Sequence, residues 1–421
     1  MQTLFGTLLQ PLSPSQCRIT SPCTVRIGDD GRIAQVASDA TSSRDRIGDE
    51  QCWILPGFVD AHLHIPQWDC RGIDGIPLFQ WQEKVGFPAE QRLSEPNAAE
   101  ALAEDFVSGM LASGTTTVCA FGTPFAQEVE ATFQVLAKRG LRAIYGMTLN
   151  DIEMPSALSQ HPDEALDESR KLAARWHGAH NGRLRYAFSP RASIRCSEKL
   201  MRGAAALAEM LKCHVQTHVA ESLEELTEVH QRFPEQVDEV DLFREVGLLN
   251  ARTILAHGVL LNHNERRELT AGGASLVHCP TSNLFREAGL MDCAAHRAIG
   301  TRIALGSGIA GGFDPFMPRV AVEGIQTSKA IRVHSLPRRS AQVLTPTEAW
   351  WMLTAGGAGA IGLGDTIGRI EAGFQADCLV VRPEKWITNL PQEQQVSALL
   401  YTISPEQIEH VFIAGKPVGR E

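Results

Sequence analysis

Five histidines stand where short apolar segments end, and that placement makes them candidates for chemistry: His62 and His64 in His62-Leu63-His64, then His218, His257 and His278. Side chains alternate along an extended segment, so two imidazoles spaced two apart point to the same side. Neutral imidazole is the commonest protein ligand for zinc-like ions, and three or four such nitrogens leave a position open for water. A single histidine is usually an ordinary core or surface residue. The signal is the grouping, since His161, His177, His180, His214, His230, His296, His334 and His410 fall away from predicted strand ends. Glu221 follows His218 by three, where a carboxyl can carry protons between an activated water and a substrate.

These residues need a scaffold that gathers strand ends in one place. Short apolar stretches at 58–62, 115–120, 142–147, 184–189, 213–218, 252–257, 274–278 and 302–307 alternate with longer helical stretches at 97–112, 127–139, 162–177, 197–211 and 223–232. Eight strands interleaved with helices predict an α/β fold, a (β/α)8 TIM barrel, whose active sites lie at the C-terminal ends of the strands. Residues 56–364 are assigned to it. The two ends, 1–55 and 365–421, read as short strands and turns, with Asp29-Asp30-Gly31 as a hairpin turn, and are expected to join in one small β-sandwich domain.

Composition narrows the function. Across 421 residues, Lys+Arg 39 against Asp+Glu 49 gives a net charge of −10 with no basic block, which argues against nucleic acid as a partner. No apolar run reaches the roughly 20 residues of a membrane span. The N-terminus carries no Lys or Arg before Arg18, so no signal peptide is expected. Ten cysteines without a C-x-x-C pair point to reduced thiols and a cytoplasmic setting. Two motifs are set aside. His263-Asn264-Glu265 has no P-C-x-x-C after it, and Gly356-Gly357-Ala358-Gly359 has neither a preceding strand nor a G-K-[ST] and fits helix packing.

At this point the chain resembles a known family. Leu55-Pro56-Gly57-Phe58-Val59-Asp60-Ala61-His62-Leu63-His64 is similar to the opening motif of the amidohydrolase superfamily. More narrowly, the guanine deaminase family is resembled by His64-Ile65-Pro66-Gln67, Leu78-Phe79-Gln80-Trp81 with Phe87-Pro88-Ala89-Glu90, and Ser189-Pro190-Arg191 running on to Cys196-Ser197-Glu198. Gln216-Thr217-His218-Val219-Ala220-Glu221, Leu255-Ala256-His257 and His278-Cys279-Pro280-Thr281-Ser282-Asn283-Leu284-Phe285 follow in the family's strand order, and Ile370-Glu371-Ala372-Gly373 with Ala376-Asp377 is similar to the return into the small domain.

The resemblance implies a purine aminohydrolase with one divalent ion, zinc first and iron or manganese next. His62, His64, His218 and His257 would be the metal residues, Glu221 the proton shuttle and His278 a substrate-facing catalytic group. Gln67 and Arg191 would grip the heterocycle, and the active form would be a homodimer. One position departs from the family pattern. In Leu305-Gly306-Ser307-Gly308, Gly308 stands where the family carries a metal-binding Asp, and Asp314 is the nearest carboxylate on that loop. Three readings follow: a deaminase of guanine or a related heterocycle, attenuated by that loss; a purine-binding protein without turnover; and a hydrolase of another amide or amidine.

Overall fold

The computed structural model describes residues 2–39, 45–334 and 342–419; residues 1, 40–44, 335–341 and 420–421, over which the expected domain ranges extend, lie outside the described set. Eight parallel strands run round the barrel: Phe58–His64, Thr115–Phe121, Arg142–Gly146, Leu184–Pro190, His214–Val219, Thr253–His257, Ser275–His278 and Arg302–Leu305. Closure comes from residues just beyond the eighth strand. The Gly308 N–H donates to His62 O at 2.9 Å, and the His64 N–H donates to Ile309 O at 2.6 Å. An eight-stranded barrel is only wide enough for its own side chains, and Val59, Ala61, Ile144, Ile254, Val277 and Ala304 fill it. The glycine-rich stretch set aside above forms the helix Ala355–Ala360, whose Ala358 joins the same cluster.

Helices cover the outside because one face of each is apolar. Phe106 of Pro96–Ala112, Phe133 of Ala126–Arg139 and Leu200 of Glu198–Leu211 all belong to the large cluster between helices and strands. Strands from both chain ends share a second sheet. Its order is Lys416–Val418, Ile408–Ile413, Cys378–Val381, Trp53–Pro56, Gln2–Ser13, Gln16–Ile27 and Ile33–Ala37. The sheet bends over on itself, with the Ala376 N–H donating to Gly31 O at 3.0 Å and the Ile33 N–H to Phe374 O at 2.8 Å. Leu4, Val25, Ile33, Ile54, Val380 and Phe412 form the core it encloses.

A buried ion pair ties the barrel to this sheet. Arg142, at the start of the third barrel strand, donates from Nε to Asp377 Oδ2 at 2.7 Å and from Nη2 to Asp377 Oδ1 at 3.0 Å. Both side chains are about 2% exposed or less. The Asp377 carboxylate also accepts the Ala414 N–H at 2.7 Å, so three segments far apart in sequence meet on one charge. Removing one partner strands the other in a place without water. Arg142→Ala is therefore expected to lower stability by about 3–5 kcal/mol. In a urea double-mutant cycle with Asp377→Ala, the double variant should lose less than the sum of the singles.

Candidate active site

A cleft opens at the C-terminal mouth of the barrel and is lined by His62, His64, His218, Glu221 and His257, with Gln67 and Arg191 on its wall. His62 is central: its ring centroid lies 4.9 Å from His218, 5.1 Å from His257 and 5.3 Å from His64. One nitrogen each from His62, His218 and His257 falls within a mutual 4.8 Å. His64 stands beside this trio rather than in it. Its Nε2 is 3.1 Å from His218 Nε2, and its ring stacks on Phe121 at 4.8 Å between centroids.

The group fits a cation. Burial, aided by the neighbouring rings, holds His62 and His64 well below the usual imidazole range, His218 at about 3 and His257 at about 4, so all four are neutral at pH 7. Acceptors then fix where the protons sit. His218 Nδ1–H donates to Arg191 O at 2.5 Å, and His257 Nδ1–H donates to Asn283 Oδ1 at 2.8 Å. In both rings Nε2 is then the unprotonated nitrogen, the usual arrangement behind a metal-binding histidine. His257 itself has φ +74°, a conformation that non-glycine residues hold only when the surroundings enforce it, as they often do at functional sites. Asp60 braces the base of the site. Its Oδ1 accepts the N–H groups of Ser307 at 2.9 Å and His62 at 3.3 Å, and burial pushes its carboxyl up to about 7.

Glu221 reaches the same space, with Oε1 3.4 Å from His257 Nε2. Burial pushes its carboxyl up to about 8, against the opposing pull of Arg286. The turn that carries it is held from behind. The Glu221 N–H donates to Glu225 Oε2 at 2.6 Å, and the Ala220 N–H to Glu239 Oε2 at 2.8 Å. On the opposite wall Gln67 and Arg191 are joined by Glu90, which accepts from Gln67 Nε2 at 2.9 Å and from Arg191 Nη2. Arg191 Nε donates to Asn150 Oδ1 at 3.1 Å.

His278 is placed differently from the sequence expectation. Leu276 belongs to the outer core and Val277 to the barrel interior, so alternation turns His278 outward. It is fully buried against Gly324 of the helix Met317–His334 and is not among the residues lining the cleft. Asp314 does not fill the position of the absent carboxylate either. Its Oδ2 pairs with Arg319 Nη1 at 2.6 Å, and its Oδ1 accepts the Phe316 N–H at 2.9 Å. Gly308 borders the cleft with φ +62°, and a Cβ built there would lie 2.5 Å from Ser282 Cβ.

Sequence reasoning assigned no role to Asp60, Glu90, Asn150 or Asn283. Asp60, Glu90 and Asn283 lie inside motifs that were recognised, yet nothing in their spacing announces a hydrogen bond to a distant partner. For Glu90 the available signal was a carboxylate in an otherwise apolar stretch, Phe87-Pro88-Ala89.

Asn283→Ala removes the acceptor that orients His257. Divalent-metal affinity, measured by competition with a chromogenic chelator, is expected to fall by about 10–100-fold, with little change in the urea midpoint.

Comparison with known proteins agrees with this geometry. The amidohydrolase family model matches residues 53–418. A probable guanine deaminase of Deinococcus radiodurans is 31% identical, over 98% of this chain and 96% of its own length. The solved guanine deaminase of E. coli superposes with a TM-score of 0.92 at 25% identity, covering 100% of this chain and 99% of that one. An adenosine deaminase from Xanthomonas campestris, solved with bound zinc, gives a TM-score of 0.87 at 26% identity, over 99% of this chain and 92% of its own. A barrel with imidazoles, a buried carboxyl and a polar wall at its mouth, matched along nearly its whole length, places the chain in the amidohydrolase family, on its guanine deaminase branch.

Proposed function

We infer that the cleft binds guanine or a closely related aminated heterocycle and hydrolyses its exocyclic amine. The chain is a guanine deaminase-like aminohydrolase, acting on a C–N bond of a cyclic amidine. The observation that carries the reading is a juxtaposition in one cleft: neutral imidazoles and Glu221 together with Gln67 and Arg191, which Glu90 joins from behind.

A divalent ion bound among His62, His218 and His257, with His64 beside them, would supply an activated water as nucleophile. We assign zinc, which suits neutral nitrogen ligands; iron and manganese accept the same donors. The protein's own residues do the rest. Gln67 and Arg191 hold the ring flat against the wall and fix which carbon faces the imidazoles. Glu221 moves the protons: its carboxylate would take one from the attacking water and pass it to a ring nitrogen, then take one from the new hydroxyl and pass it to the amine as the C–N bond breaks, so that ammonia leaves neutral. A homodimer and a cytoplasmic setting belong to the same reading. The second is supported by ten free cysteines, nine of them buried, and among the described residues no helix is long and apolar enough to cross a membrane.

One observation favours a second reading, a purine-binding protein with little turnover. The end of the eighth strand has no carboxylate, and Ser282 fills the space that a side chain at 308 would need. The two readings separate in one experiment. Zinc-loaded protein is assayed for ammonia release from guanine beside Gly308→Asp, Ser282→Gly and the double variant. The single Gly308→Asp change is expected to give no gain, because its Cβ meets Ser282. The double variant is expected to gain roughly 10²-fold or more, the scale of one general base. Ordinary enzyme rates in the unaltered protein, with no gain in the double variant, would show that this carboxylate is dispensable here. Elemental analysis checks the metal assignment: His62→Ala with His64→Ala should leave the purified protein without zinc.

A further inference from the structure

The polar wall of the cleft is organised by a residue that has no role assigned above. Glu90 is 0% exposed and sits on the short helix Phe87–Gln91. It spends both carboxylate oxygens on the two side chains that face the ligand, Oε1 on Gln67 Nε2 at 2.9 Å and Oε2 on Arg191 Nη2. The other contacts of these groups are also set. Arg191 Nε is taken by Asn150 Oδ1 at 3.1 Å, and Asn150 in turn is held by its own Nδ2 donating to Leu158 O at 2.7 Å. Among the described residues, Gln67 Oε1 accepts the Ala310 N–H at 3.4 Å.

An amide is nearly symmetric in shape and its direction is set by its partners. A carboxylate accepts and never donates, so it forces Gln67 to present its NH2 group to Glu90 and its oxygen elsewhere. Both residues line the cleft, so the wall offers the ligand an accepting oxygen from Gln67 and a donating N–H from the Arg191 guanidinium. A lactam edge, a carbonyl beside a ring N–H, satisfies both. The amidine edge of a 6-aminopurine offers an amine where the carbonyl was and a bare nitrogen where the N–H was, which reverses both partners.

We propose that Glu90 is the positioning residue that makes this cleft selective for purine lactams, acting through Gln67 and Arg191 without touching the ligand. The proposal rests on the reading of the cleft as a purine site and deepens it by naming what sets the preferred edge. A mismatch costs most where it leaves buried polar groups unpaired, which is how hydrogen-bonding sites reach large discrimination.

Hypoxanthine and adenine are the probes. Both lack the amine that would be removed, so neither is turned over at that carbon, and they differ in the edge under test. Calorimetric titration of the metal-loaded protein is expected to show hypoxanthine binding at least tenfold more tightly than adenine. In Glu90→Gln, whose own amide lets Gln67 turn round, hypoxanthine affinity should fall at least tenfold and the preference should shrink towards one. Urea unfolding reports whether the variant is folded. Glu90→Asp serves as the second variant, because it keeps the charge but its shorter side chain cannot span both partners, and it should lose the preference as well. A folded Glu90→Gln or Glu90→Asp protein with undiminished preference overturns the proposal and leaves the purine reading standing. Unaltered protein that binds neither hypoxanthine nor guanine overturns both.

Discussion

The centre of this protein depends on keeping several imidazoles uncharged in a space with almost no water. Four protonated rings at these separations would repel one another strongly in a low dielectric, and burial prevents this by holding all four below their ordinary range. Neutrality alone is insufficient, because a neutral ring has one donor and one acceptor and must be told which is which. Arg191 O and Asn283 Oδ1 do that for His218 and His257. The backbone of the fourth strand's exit and a side chain on the helix Pro280–Phe285 are thus as much a part of the centre as the rings they orient.

The same constraint governs the acids. Glu221 and Glu225 are both pushed up to about 8 by burial, so at neutral pH they stand mostly protonated. Arg191 is paired with Glu90. The acids nearest the imidazoles are thus held back from full ionisation. A divalent ion held by these rings would have neutral nitrogen donors, which leave its charge less balanced than carboxylate ligands would. Such an ion polarises a bound water more strongly than one already balanced by carboxylates. The price is weaker electrostatic attraction for the ion itself.

Much of this was legible in the sequence, for identifiable reasons. Barrel strands are short apolar runs at regular intervals, and every one of the eight lies within three residues of its predicted place. The histidines of the centre stood out because they repeat one relation, a histidine at a strand end. His278 shares that relation but not its facing. The difference is one step of alternation, and the end of a four-residue strand, Ser275–His278, gives no sequence pattern long enough to fix it. Glu90 and Asn283 were invisible for another reason. Their partners lie 101 and 26 residues away along the chain, and only the closed barrel brings them together. Likewise, nothing in the spacing of Arg142 and Asp377 shows that the barrel is locked to its neighbour sheet through one carboxylate.

Ser282 limits what position 308 can hold in this backbone. A built Cβ at Gly308 would meet Ser282 Cβ at 2.5 Å, and one at Gly311 would meet Ser282 Oγ at 2.5 Å, so the serine and the two glycines form one interlocked unit. Such a unit is epistatic: an acid at 308 has no room while the serine remains, and trimming the serine alone brings back no acid. In this chain a new side chain at the end of the eighth strand therefore depends on a second change at Ser282, whereas the residues around Glu221 and the polar wall can be altered one at a time.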